Sequence, residues 1–163
     1  MSHKIINPFA VLDRGERYNC FGCSPNNALG LQLHFQDCGE NEIESFWQPQ
    51  KHLEGFFNVL HGGIQATLHD EVAGWIVFTK CKTSGVTQNL NVKYLKPVFI
   101  NGPKIRIAGK LIEIKDKTAI IKTGIYNSEG QLCSEGEVEY FVFPEAVAKK
   151  RHFYPGVEAF YEG

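Results

Sequence analysis

Hydrophobic and polar positions alternate along much of the chain, and the period changes once. Leu31, Leu33 and Phe35 alternate with Gln32, His34 and Gln36, the period of a half-buried strand. A turn at Gly39-Glu40-Asn41 leads into Ile43, Ser45 and Trp47, which share one face and read as the hairpin partner, ended by Pro49. Over residues 60 to 79 the period is helical. Ile64, Leu68, Val72, Trp75 and Ile76 form one stripe, while Ala66, Ala73 and Val77 fill much of the opposite side. A helix apolar nearly all round is a buried one. Period two then returns. Residues 86 to 99 set Leu90, Val92 and Tyr94 against Asn89, Asn91 and Lys93, and Pro97 breaks or bends the run. Residues 104 to 114 put Ile105 and Ile107 on one face and change phase near Leu111-Ile112, which predicts a bulge. Residues 117 to 126 end in the turn Asn127-Ser128-Glu129-Gly130. Residues 132 to 143 set Val138, Tyr140 and Val142 against Glu135, Glu137 and Glu139, and 145 to 151 fit a short helix.

Two strands, one long buried helix and about four strands make an α+β order. A parallel sheet would need helices between the later strands, and the pattern predicts none. The expectation is an antiparallel sheet of about six strands wrapped around a single long helix. No repeat or linker divides the 163 residues, so one domain is expected over residues 1 to 163. Residues 1 to 28 read as irregular, with Asn7 capping a short helix that opens at Pro8, and residues 145 to 163 as a tail.

Charge narrows the partners. Lys and Arg total 17 against 18 Asp and Glu, a net charge of −1, so nucleic acid is not expected as a partner. Nor is a membrane. The longest apolar stretch, residues 64 to 78, is interrupted by Gln65, His69, Asp70 and Glu71 and is shorter than the roughly 20 residues a span needs. The first residues carry no apolar secretory core, and five cysteines make an odd count. A reduced, cytoplasmic protein is the expectation.

The chemistry concentrates in His61-Gly62-Gly63-Ile64-Gln65-Ala66-Thr67-Leu68-His69-Asp70-Glu71. Glycines at a helix start let a ligand approach the backbone, and the first helical N–H groups lack internal partners at the positive end of the dipole. That is a ready site for a carbonyl or oxyanion. Asp70 follows in the middle of an apolar helix, where a carboxylate is costly unless it is paired or opens to a cleft. It reads either as a solvated or capping residue, or as a general base or nucleophile acting on a carbonyl at the helix N-terminus. Glu71 is a second carboxylate, turned about 100° around the helix from Asp70, so only one of the two faces a given cleft.

The string LHGGIQATLHDEVAGW resembles the signature of hotdog-fold acyl-CoA thioesterases of the phenylacetyl-CoA thioesterase (PaaI-like) type. It has HGG, an acidic residue nine positions after the His, and Gly74 before Trp75. Cys20-Phe21-Gly22-Cys23-Ser24-Pro25-Asn26-Asn27 with Gly30-Leu31 is similar to the N-terminal segment of a subset of that family. The stretch from Gly85 to Val98, with its Asn91-x-x-Tyr94-x-x-Pro97 pattern, is similar to the strand after the helix. The resemblance implies a hotdog fold and at least a homodimer, a dimer of dimers being the larger option, with sites at the protomer interface. It implies hydrolysis of an acyl-CoA, with Asp70 as base or nucleophile, Gly62 (or Gly63) polarising the carbonyl, and Thr87 positioning water. His61 would orient substrate or brace the turn. The family often carries an Asn six positions before that His; this chain has Gly55 there, with Asn58 and Glu54 as the nearby candidates to replace it. Asn58 and, as the carboxylate next to Asp70, Glu71 stand as candidate substrate contacts. No cofactor or metal is implied, coenzyme A being part of the substrate. A hotdog hydroxyacyl-thioester dehydratase and a non-catalytic acyl-thioester binder are the alternatives.

Two features fall outside that reading. Cys20-x-x-Cys23 has the spacing of half a zinc site or a redox pair, but no second CxxC completes it, so a structural segment folded over the sheet edge is expected. Lys149-Lys150-Arg151-His152 is either a solvated basic tail or a contact for the coenzyme A phosphates.

Overall fold

A computed structural model of the chain describes residues 1 to 12 and 16 to 161. Parts of the expected irregular segment (13 to 15) and of the tail (162 and 163) lie outside the described residues. The strands are β1 (His3–Lys4), β2 (Gln36–Asp37), β3 (Glu42–Trp47), β4 (Gly85–Tyr94), β5 (Ile105–Lys115), β6 (Thr118–Tyr126) and β7 (Leu132–Val142); the helices are α1 (Gly62–Thr79) and α2 (Glu145–Arg151). One sheet runs in the order β1-β2-β3-β5-β6-β7-β4, and every pair is antiparallel. It wraps around α1, which is the hotdog arrangement.

Burial of α1 drives this assembly. Leu68, Val72, Ala73 and Ile76 have no exposed surface, and Ile107, Ile121, Ile125 and Val138 of the sheet share their core. Each fully buried aliphatic side chain of this kind contributes about 1.5–3 kcal/mol by leaving water. His69 lies in the same core, with Nδ1 2.6 Å from Thr123 Oγ1 and Nε2 2.8 Å from Ser134 Oγ. Burial pushes its pKa down to about 4, so it sits there neutral. Gly136 makes the room, because a Cβ there would collide with Thr123 and with the His69 ring.

Three expectations are corrected. Residues 31 to 35 form no ladder, although Leu31, Leu33 and Phe35 are buried as the alternation demands. Their backbone is spent elsewhere: Leu31 N–H donates to Phe21 O, Leu33 N–H to Gly22 O, and Gln32 takes a φ of 52°. The inward side chains follow the predicted period while the backbone partner is a loop. The hairpin therefore shrinks to β2 against β3, and β1 makes the strands seven rather than six. The run predicted over 86 to 99 stops at Tyr94, where Leu95 and Lys96 both donate to Cys133 O. The bulge expected near Leu111-Ile112 is present as a register shift between Leu111 and Glu113. Asn7 accepts from Phe9 N–H as expected, though the turn it caps, Pro8–Val11, is 3-10 rather than α. No helix among the described residues is long and apolar enough to cross a membrane.

One polar node ties β2 and the C-terminal segment to the end of α1. Lys80, at the C-terminal end of the helix, lies 2.7 Å from both Asp37 oxygens; Tyr161 Oη donates to Oδ2 at 2.6 Å and Gly39 N–H to Oδ1 at 2.8 Å. Burial opposes the charge on Asp37, but the bonds from Lys80, Tyr161 and Gly39 outweigh it and hold its pKa below the usual carboxylate value. A depressed folded pKa stabilises fully above the unfolded value and is lost as pH falls through the folded one. Asp37→Asn should cost about 3 kcal/mol in urea unfolding at pH 7. The gap between wild type and variant should then narrow below about pH 4. A gap that does not change between pH 7 and pH 3 would show that Asp37 makes no such contribution.

Candidate active site

His61 caps α1: its Nδ1 accepts from Gly63 N–H at 2.9 Å, with His61 at φ −55° and ψ 133°. That bond occupies Gly63 and leaves Gly62 N–H as the donor at the helix N-terminus. Gly62 is flanked by Tyr94 of β4, whose Oη donates to Gly62 O at 2.6 Å. Asn58 is engaged in a turn. It sits at φ 57°, its Nδ2 donates to Asn101 Oδ1 at 2.9 Å, and its Oδ1 accepts from Asn101 N–H at 3.0 Å.

Asp70 lies further along α1 and is half-buried. Thr87 of β4 and Tyr140 of β7 face each other across the ladder, and both hydroxyls reach the same carboxylate oxygen. Thr87 Oγ1 donates to Asp70 Oδ1 at 2.7 Å and Tyr140 Oη at 2.9 Å, with Tyr140 also 3.0 Å from Asp70 O. A register shift between Thr87 and Asn89 follows at once. Gly74 gives Tyr140 its path over the helix, since a Cβ there would stand 3.1 Å from Tyr140 Oη. Tyr140 is buried, and burial together with the Asp70 charge raises its pKa, so it is a donor rather than a phenolate. The predicted trio therefore divides: Asp70 and Thr87 meet, whereas Gly62 is eight residues away, about 12 Å along the axis. Tyr140 was not singled out from the sequence; its place opposite Thr87 follows from the pairing of β4 with β7, which no local pattern encodes.

Residues 57–134 match the model of the thioesterase superfamily. Over that segment the chain is similar to the thioesterase superfamily. The segment runs from the turn before His61 through Asp70, Thr87 and the start of β7. Over 98 residues the chain is 30% identical to acyl-coenzyme A thioesterase THEM4 of Rattus norvegicus, 60% of this chain but 42% of that protein's length. A solved thioesterase superfamily protein superposes with a TM-score of 0.67 at 24% identity, covering 73% of this chain and 57% of that one. A thioesterase protein from Streptococcus pneumoniae, solved with coenzyme A, gives 0.64 at 20% identity, covering 69% and 90%.

Glu71, next along α1, points elsewhere. Its Oε1 accepts from Trp75 Nε1 at 3.2 Å and from Cys20 Sγ at 3.6 Å, and Cys20, Cys23 and Glu71 bring their ligand atoms within 4.8 Å of one another. Burial pushes Glu71 up to about 7. The Cys23 thiol and the amides of Cys23 and Gly22 favour a Cys20 thiolate, while Cys23 is raised by its bond to Cys20 and by burial. The basic cluster splits: Lys149 pairs with Glu145 at 2.9 Å, and His152 Nδ1 lies 2.8 Å from Ser84 Oγ. A cavity of about 540 Å³, lined by Phe9, Tyr18, Phe78, Val86 and Phe143, opens one residue before Thr87 along β4.

Removing one donor from a charged acceptor costs about 1.5–3 kcal/mol. Tyr140→Phe should therefore lower unfolding stability by about 1.5 kcal/mol, and the loss should shrink when Asp70 is already Ala, which leaves Tyr140 only the backbone carbonyl of residue 70 as acceptor. A double-mutant cycle with additive losses would show that Tyr140 and Asp70 do not interact.

Proposed function

We propose that this chain hydrolyses acyl-CoA thioesters, with Asp70 as general base or nucleophile and Gly62 N–H polarising the carbonyl. The convergence of Thr87 and Tyr140 on Asp70 Oδ1 carries this reading. Two donors fix the carboxylate and leave Oδ2 as the oxygen that attacks, or that removes a proton from water. The thioester oxygen accepts from Gly62 N–H as charge develops on it, and the tetrahedral species expels the coenzyme A thiolate; where Asp70 itself attacks, water then cleaves the acyl–Asp70 anhydride to free the acid. The reaction uses only this chain, water and the acyl-CoA, of which coenzyme A is a part. The names of the rat and pneumococcal relatives agree with that substrate class, and the aromatic cavity that reaches Val86 is the candidate seat of the acyl group, although neither Asp70 nor Thr87 lines it.

One centre must lie about 3 Å from both the nucleophile and the carbonyl donor. Asp70 and Gly62 of one chain, about 12 Å apart along one helix, do not meet that condition. Asp70 of one protomer would therefore work with Gly62 of its partner. β4 suits the pairing: it ends the sheet, spans ten residues, and exposes Val86 and Tyr94 by 52% and 51%. A long exposed edge strand is a template for a second chain. A homodimer is the smallest assembly that completes the site, and a dimer of dimers would hold four.

Thiol release should be measured on short, medium, long and aromatic acyl-CoAs. Asp70→Asn should reduce kcat by about 10³-fold and Gly62→Pro by about 10²-fold. Proline is tolerated at the first helical position and removes only the N–H. Randomly mixed Asp70→Asn and Gly62→Pro chains should regain about a quarter of wild-type turnover, because half the dimers carry one intact site. Unchanged turnover in Asp70→Asn, or none on any substrate by wild type, would overturn the assignment. Mixing without recovery would overturn the shared site.

A further inference from the structure

Glu71 and the CxxC turn take no part in the chemistry proposed above, yet they form a built cluster. Ser24 N–H donates to Cys20 O, Ser24 Oγ to Tyr18 O and Asn7 Nδ2 to Cys23 O, so the turn is pinned on both sides. Gly22 allows the turn to close over the helix, since a Cβ there would collide with the Glu71 carboxylate. The result is two sulfurs and a carboxylate oxygen, all within 4.8 Å of one another.

We propose that Cys20, Cys23 and Glu71 bind a zinc ion that clamps the N-terminal loop to the central helix. Zinc takes sulfur at about 2.3 Å and carboxylate oxygen at about 2.0–2.2 Å in a tetrahedron, which sets sulfur and oxygen roughly 3.5 Å apart. Cys20 Sγ and Glu71 Oε1 are 3.6 Å apart. Two thiolates select zinc over magnesium or calcium. Two of the ligands also have an outer donor: Tyr18 Oη lies 3.3 Å from Cys23 Sγ, and Trp75 Nε1 donates to Glu71 Oε1 at 3.2 Å. Outer donors of this kind orient metal ligands. A disulfide would join the two sulfurs and leave the carboxylate with Trp75 as its single donor; a cation satisfies all three. On binding, the protons that Cys20, Cys23 and Glu71 hold between them pass to solvent, leaving two thiolates and a carboxylate on the metal, and the fourth position takes water.

The test is metal content of the full chain purified under reducing conditions, by mass spectrometry of the element. One zinc per chain is expected, released by a thiol-blocking mercurial. Cobalt substitution should give a thiolate-to-metal charge-transfer band and tetrahedral d–d bands. Chelator should lower Tm by about 5 °C or more. Glu71→Gln should weaken zinc binding by at least about 10-fold, while Cys81→Ser should leave it unchanged. Because the mercurial titration is made on wild type, the test survives a Cys20→Ser chain that fails to fold. Reduced chain without zinc and without a Tm response to added zinc would overturn the proposal. So would an intact mass short by two hydrogens and restored by reductant, which would assign a redox pair instead.

Discussion

A helix wrapped by a sheet carries a polar side chain only where the fold meets it with a partner or leaves it open to solvent. Three consecutive polar residues on α1 impose that constraint. Successive residues on a helix point about 100° apart, so His69, Asp70 and Glu71 address three different directions. His69 goes to the centre of the sheet, at Thr123 and Ser134. Asp70 goes to the sheet end, at Thr87 and Tyr140. Glu71 goes to the N-terminal turn, at Cys20 and Trp75. An unmatched polar group in such a place costs about 1–3 kcal/mol, and a charge costs more. The register of β6 on β7, the placement of β4, and the seat of the N-terminal loop are therefore all set from one stretch of helix.

The edge strand shows how that constraint becomes chemistry. Thr87 and Tyr140 are direct partners in the β4–β7 ladder, so their hydroxyls arrive together at one oxygen. The irregularity that follows Thr87 leaves the rest of β4 in regular pairing from Asn89 to Tyr94. Tyr94 then reaches back to Gly62 O. One strand thus contacts the helix at both of its chemically distinct points, the N-terminus and the carboxylate, and sets their separation.

Elements whose partners are close in sequence or whose pattern is long were legible from the chain. The stripe of Leu68, Val72, Trp75 and Ile76 located α1, and the phase change at Leu111-Ile112 located a bulge. Asp70 stood out as a charge in an apolar helix, and Thr87 entered through the family resemblance. What was not legible depends on long-range pairing. Residues 31 to 35 carry a strand's alternation, but side-chain burial alone fixes that pattern, and their backbone partner is the loop at Phe21 and Gly22. Tyr140 looks like any inward residue of β7 until β4 is laid beside it. Glu71 reads as a substrate contact because its neighbour is Asp70, and only the fold shows it closed over by Gly22.

The two adjacent carboxylates illustrate why residue type does not set a role. The shorter Asp70 meets two hydroxyls on an open edge; the longer Glu71 meets sulfur and an indole under a loop. Their surroundings are linked through Tyr18. Its hydroxyl lies 3.3 Å from Cys23 Sγ, and Tyr18 is one wall of the cavity that reaches Val86, its ring tilted against Phe9 at 5.4 Å between centroids. Phe9 in turn packs on Phe78 of α1 at 5.1 Å. Any group that fixes the Cys20–Cys23 turn therefore restrains Tyr18, one wall of the cavity. A cluster that does not touch Asp70 thus bears on the sheet end through side chains packed against one another.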